Sequence, residues 1–219
     1  MQKYFTALRN CSLFSDISDA DLLSMLTCLG ASLQTAEKNE TLLSEGESAD
    51  RIGILLSGEA QIVQIDYYGN RSIHARVAPT EVFGESFAFA GIDALPVDIV
   101  STERSEVLWI EANRVTHTCS NACEFHNRII YNLMRILAEK NLVFHKKIEI
   151  TAQRSTREKL MAYLLSEAKR QNSNRFEIPY DRQELADYLE VDRSGLSAEI
   201  GKLQRNGVIW SNKNQFALL

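Results

Sequence analysis

The chain has 219 residues, 24% charged and 45% hydrophobic, a globular balance that excludes a disordered or collagen-like chain and is long enough for two ordinary domains. No run of about 18 apolar residues is present, and Met1 to Asn10 lacks the basic-then-apolar order of a signal peptide, so a cytoplasmic protein with no membrane span is expected. The net charge of −5 argues against a nucleic-acid partner only as a sum: residues 1–150 carry 13 basic and 20 acidic side chains, residues 151–219 carry 11 and 9, and the C-terminal part is the one able to meet phosphate.

In chain order, Asp19 to Leu29 places Leu22, Leu23, Leu26 and Leu29 at helical spacing. From Asn39 to Ile110, short β-prone runs follow at Arg51–Leu56, Ala60–Asp66, Arg71–Val77, Val97–Val100 and Glu106–Ile110, a spacing that predicts a small sandwich or barrel. A long helix is predicted from about Asn121 to Ile148, with Ile130, Leu133, Leu137, Phe144 and Ile148 on one stripe that Ile129, Ile136 and Val143 widen. Two readings of it stand open: a helix buried against the barrel, or a two-stranded seam between copies of the chain. Lys140 and Asn141 interrupt the stripe, and a polar residue at a seam fixes register. Ser155-Thr156-Arg157-Glu158 has capping-box spacing and opens a second domain, in which Leu160, Leu164 and Ala168 follow at helical intervals and Phe176 to Pro179 reads as a short strand.

The last 39 residues carry the strongest signal. Asp181 and Glu184 can cap a helix that buries Leu185, Ala186 and Leu189; Glu190-Val191-Asp192 makes a tight turn; Asp192 then caps a second helix, Arg193 to Arg205, with Leu196, Ile200 and Leu203 inward. Two short helices joined by three residues have helix-turn-helix spacing. The opposite face of the second helix shows Arg193, Ser194, Ser197, Ala198, Gly201, Lys202 and Arg205, without a large apolar side chain. A helix enters the major groove when its outer face is slim and its first turn reaches base edges. Arg193, Ser194, Ser197 and Ala198 are therefore assigned to base readout or close approach, Lys202 and Arg205 to the backbone, and Arg182, opening the first helix, to the same interface. Gly207 to Trp210, a Ser211–Asn214 turn and Gln215 to Leu219 read as a two-stranded wing.

This order of modules resembles the Crp/Fnr superfamily, the group of the cyclic-AMP receptor protein and the fumarate-nitrate regulator. The resemblance rests on Leu13-Phe14, Glu45-Gly46-Glu47, Leu56-Ser57-Gly58-Glu59, Phe83-Gly84-Glu85, the long helix, and Arg182 to Ala186 running into Asp192-Arg193-Ser194. It implies an α+β chain: a cyclic-nucleotide-binding-like β-barrel (a double-stranded β-helix or jelly roll) over 1–120, a dimerisation helix over 121–150 using Ile130, Leu133, Leu137 and Phe144, and a winged helix-turn-helix over 151–219. It further implies a homodimer on a near-palindromic operator in double-stranded DNA, with RNA polymerase as a partner if the protein activates. In nucleotide-binding relatives Gly-Glu meets the ribose and an Arg-Ser or Arg-Thr pair about ten residues on clamps the cyclic phosphate. Gly84-Glu85 matches the first part; Leu95-Pro96 stands where the second belongs, and no basic residue lies between Gly84 and Val100. A pocket of Gly84, Glu85, Ser86, Leu95, Pro96, Val97 and Phe144 is thus expected to take an unidentified, less anionic effector than cyclic AMP, with no other cofactor.

Cys11, Cys28, Cys119 and Cys123 fit neither a zinc ribbon nor the N-terminal cluster of iron-sulfur relatives, so ordinary reduced thiols and no metal are expected. A redox or metal sensor using Cys119 and Cys123, with His117 or His126, remains an alternative, and haem ligation by His74 or His145 a weaker one. An enzyme is not expected, since no nucleophile motif or phosphate loop is present. A ligand-binding scaffold without DNA function is the better rival, because Ala198 stands where many relatives carry a further arginine.

Overall fold

The computed structural model describes residues 4–116 and 124–219. The chain forms two compact units, Met1–Gln64 with His74–Asn141 and Ile65–Ile73 with Leu142–Leu219. Among the described residues no helix is long and apolar enough to cross a membrane.

The first unit opens with α1 (Phe5–Asn10), a 3-10 turn (Ser12–Phe14) and α2 (Asp19–Cys28), whose N-cap Ser18 accepts from the Asp21 amide at 3.3 Å. Eight strands follow: β1 (Ser32–Ala36), β2 (Thr41–Leu43), β3 (Arg51–Ser57), β4 (Ala60–Ile65), β5 (Arg71–Val77), β6 (Val82–Phe83), then after α3 (Glu85–Ala90) β7 (Asp98–Ser101) and β8 (Ser105–Glu111). They form two four-stranded sheets, ordered β1-β8-β3-β6 and β2-β7-β4-β5. The period of two is visible in β3. Leu55 joins Leu43, Ile99, Val107, Phe83 and Trp109 in one cluster drawn from both sheets, while Ile52, Ile54 and Leu56 turn to the other side, against α1 and α2. Phe83 and Trp109 meet edge to face with centroids 5.3 Å apart, and a Cβ at Gly53 would lie 2.2 Å from the Phe83 ring. Strands β1, β2 and β6 and helices α1 and α3 have no counterpart in the sequence reading: each is six residues or fewer, too short for periodicity to register.

After α4 (Ala112–Thr116) comes α5 (Glu124–Thr151). Its expected seam stripe divides. Leu133 is buried in the first unit's own core together with Ile129 and Ile136, Leu137 packs on that core, and Ile130 is half-buried; Phe144 stays 40% exposed. Asn132 anchors the same face by donating to the carbonyls of Leu13 and Ser15, both at 3.0 Å.

The second unit contains α6 (Thr156–Gln171), β9 (Arg175–Glu177), α7 (Arg182–Leu189), α8 (Arg193–Arg205), β10 (Ile209–Asn212) and β11 (Gln215–Leu218), with the strands ordered β10-β11-β9. The Ser155 capping box forms as its spacing predicts. The unit also includes the 65–73 segment. Arg71 reaches the Asp187 carboxylate at 3.1 Å, and Lys147, buried, donates to the Ile73 carbonyl at 2.5 Å and lies 5.0 Å from the centre of the Tyr188 ring. Burial pulls the Lys147 pKa down, against the opposing pull of Glu190.

Candidate nucleic-acid interface

Helices α7 and α8 are held at their ends by their own sequence. Asp181 accepts from the Glu184 amide at 2.9 Å while Glu184 accepts from the Asp181 amide at 2.9 Å, which satisfies two of the free donors that open α7. The turn closes on Glu190 in the left-handed region (φ 54°), the Val191 amide donates to the Ala186 carbonyl, and Lys159 donates to the carbonyls of Leu189 and Glu190 at 3.2 and 3.3 Å. Asp192 then caps α8 by accepting from the Gly195 amide at 2.8 Å and from the Ser194 hydroxyl at 2.5 Å, contacts that hold its carboxyl below the usual range.

Leu196, Ile200 and Leu203 are buried beneath α8, and Arg193, Ser194, Ser197, Ala198, Lys202 and Arg205 are all exposed on its outer side. The exposed side is therefore the one assigned to DNA from periodicity, and its members fall into distinct states. Lys202 is paired with Glu199 at 2.5 Å, so part of its charge is already answered within the helix. The Arg205 guanidinium lies over Gly201, 3.4 Å from where a Cβ would be, a position that any larger residue would contest. Ser194 is committed to Asp192. Arg182 is the exception to the common face: it is half-buried, stacks over Phe216 at 5.7 Å and donates to the Lys213 carbonyl at 3.4 Å, and burial lowers its pKa. Its guanidinium braces the wing.

The wing adds residues that were not assigned from the sequence. Lys213 sits exposed at the β10–β11 turn with φ 53°, Gln204 of α8 donates to the Ser211 carbonyl at 3.1 Å, and Arg175 stacks over Trp210 at 5.3 Å. The Ser-Asn-Lys-Asn turn was legible as a turn; the lysine at its tip was the available signal for a phosphate contact.

The effector residues are distributed over the first unit, apart from Phe144. Gly84 (φ 79°) caps α3, where a Cβ would meet Leu43 at 3.0 Å. Glu85 is 2% exposed, and Lys140 of α5 donates to its Oε1 at 2.8 Å and to the Val82 carbonyl at 2.6 Å. The Glu85 Oε2 is buried with no hydrogen-bond partner among the described residues, and Ser86 is exposed. Leu95 and Val97 are buried, Leu95 in the cluster between the sheets, and Pro96 is exposed. The Glu85 carboxylate is thus already paired with a cation, and Leu95 and Pro96 stand where the resemblance places a phosphate clamp. Cys119, Cys123 and His117 lie outside the described residues. Among the described residues no group of three His, Cys, Asp or Glu side chains is placed to hold a metal ion; Cys11 is buried, Cys28 exposed, His126 buried, and His74 contacts Gln64 at 3.2 Å.

The model of the cyclic nucleotide-binding domain family matches residues 33–122, and that of the Crp-like helix-turn-helix domain matches residues 158–219. The transcriptional activator protein FnrA of Stutzerimonas stutzeri is 21% identical over 211 residues, which cover 93% of this chain and 82% of that protein. Among solved structures, the c-di-GMP-responsive global regulator CLP of Xanthomonas campestris shares the fold with a TM-score of 0.74 at 18% identity, over 91% of this chain and 99% of that one. FixK2 of Bradyrhizobium japonicum does so with a TM-score of 0.64 at 17% identity, over 86% of this chain and 92% of that one.

Proposed function

Because the chain belongs to the Crp/Fnr family of transcription regulators, we propose that it acts in the cytoplasm as a homodimer on a near-palindromic operator, responding to a small effector other than cyclic AMP. The observation that carries the DNA reading is α8: capped by Asp192, anchored by Leu196, Ile200 and Leu203, and presenting an outer face of Arg193, Ser197, Ala198, Lys202 and Arg205. Arg193 in the first turn is assigned to a base edge, and Lys202, Arg205 and Lys213 to phosphates. RNA polymerase is a partner if the protein activates.

The effector reading is supported by the Glu85–Lys140 pair and by Leu95-Pro96. A phosphate bound there without an arginine would be poorly compensated, whereas the unpartnered Glu85 Oε2 suits a neutral molecule that donates a hydrogen bond. The test is the binding of purified protein to its own promoter DNA across a salt series. A regulator loses affinity steeply with log salt and prefers one site over random sequence; a scaffold shows no binding even at low salt.

A further inference from the structure

We propose that Ala198 selects a thymine: its methyl packs against the C5-methyl of that base in the major groove, so that each half-site carries a thymine on a different base pair from the guanine assigned to Arg193. The proposal rests on the DNA reading above and deepens it, because it names a base that α8 recognises without a hydrogen bond.

The place of Ala198 in the helix comes first. Leu196, Ile200 and Leu203 are buried beneath α8, and Ala198 is exposed in its middle turn. At 100° per residue, Ala198 points within about 15° of the direction opposite those three. A helix laid into the groove on its exposed side brings that point closest to the base edges. Helix propensity alone accounts for an exposed alanine elsewhere. This one stands at the centre of a face that also carries Arg193, Lys202 and Arg205 and no large apolar side chain.

The polar groups around it are engaged. Ser194, one turn before, gives its hydroxyl to Asp192 at 2.5 Å, and Lys202, one turn after, is paired with Glu199 at 2.5 Å. The Arg205 guanidinium lies over Gly201, 3.4 Å from where a Cβ would be. Gly201 has no side chain of its own, so Ala198 and Gly201 leave a shallow apolar gap in an otherwise polar face.

The base follows from what each base pair shows in the major groove. Guanine, adenine and cytosine present only donors and acceptors there, and thymine adds a methyl. An edge of the first three set against Ala198 gives up its water and gains no partner. Thymine sets a methyl against a methyl, and both leave water. An arginine at position 198 would reverse the preference, since its two donors match guanine. Arg193 is five residues away, about 7.5 Å along the axis, and base pairs follow one another at about 3.4 Å, so the two side chains meet different base pairs.

The test begins by selecting the preferred site of the full chain from a random-sequence duplex pool. Each thymine of that site is then replaced, in both half-sites, by deoxyuridine, which lacks only the C5-methyl. Anisotropy titrations of the parent should show one thymine per half-site whose replacement weakens binding about three- to tenfold. Ala198→Gly should bind the thymine and deoxyuridine duplexes equally; each comparison uses one protein on two duplexes, so a loss of helix stability cancels. Selection repeated with Ala198→Arg should return guanine in place of that thymine. A parent indifferent to every deoxyuridine, a methyl effect that survives in Ala198→Gly, or an unchanged base in the Ala198→Arg selection overturns the proposal and leaves the DNA reading standing. A parent that enriches no site and binds no duplex at low salt sinks both.

Discussion

Arg193 stands exposed in the first turn of α8, and its fork of donors matches the acceptor pair of guanine. Arg193→Ala is expected to cost about 1–3 kcal/mol of operator affinity and to relax one base position, whereas Lys202→Ala should weaken all sequences alike and reduce the salt slope by about 1. Fluorescence anisotropy on operator and random duplexes separates the two. Cys11 is a different kind of residue. Burial pushes its thiol up to about 11, so the folded chain keeps it protonated where an unfolded chain ionises. Because the folded pKa lies above the unfolded one, its contribution to stability is complete below pH 9 and lost as pH rises toward 11. At pH 8, site-resolved mass spectrometry should find Cys28 alkylated in the native protein and Cys11 only after denaturation.

At the scale of elements, the packing of β3 on β6 leaves no space at Gly53. Gly53→Ala sets a methyl against the Phe83 ring, and since that ring is locked on Trp109 the variant should lose about 1–3 kcal/mol in denaturant titration. The bond between α3 and α5 is electrostatic. Lys140→Met strands the Glu85 carboxylate, 2% exposed, and is expected to cost about 3 kcal/mol; Glu85→Gln in the same chain should recover most of it, because the buried charge is then gone. A double-mutant cycle by thermal unfolding measures the recovery. Elements with local signals were legible from sequence: α8 spans Arg193–Arg205 as read, because its cap and its Leu196, Ile200 and Leu203 stripe lie within the helix itself. The fate of Lys140 was not legible, since its partner is 55 residues away.

For the whole molecule, the matches to the cyclic nucleotide-binding domain and the Crp-like helix-turn-helix domain mark a Crp/Fnr-type DNA-binding regulator, and the proposed effector reading is tested at this scale. Calorimetric titration with cyclic AMP should give no binding in the micromolar range, and thermal stability should not rise with added nucleotide. Heat of binding at micromolar cyclic AMP would reverse the effector reading without touching the DNA-binding one.

The sequence by itself determined the order of modules, the strands β3, β4, β5, β7 and β8, and the outer face of α8, because each is written in short-range patterning and in caps a few residues apart. Tertiary structure alone decided which side of α5 packs on its own protomer, that Lys140 neutralises Glu85, and that Arg182 braces the wing over Phe216. An amphipathic pattern says that a face is apolar and leaves open what covers it. Only the folding of distant segments against one another answers that.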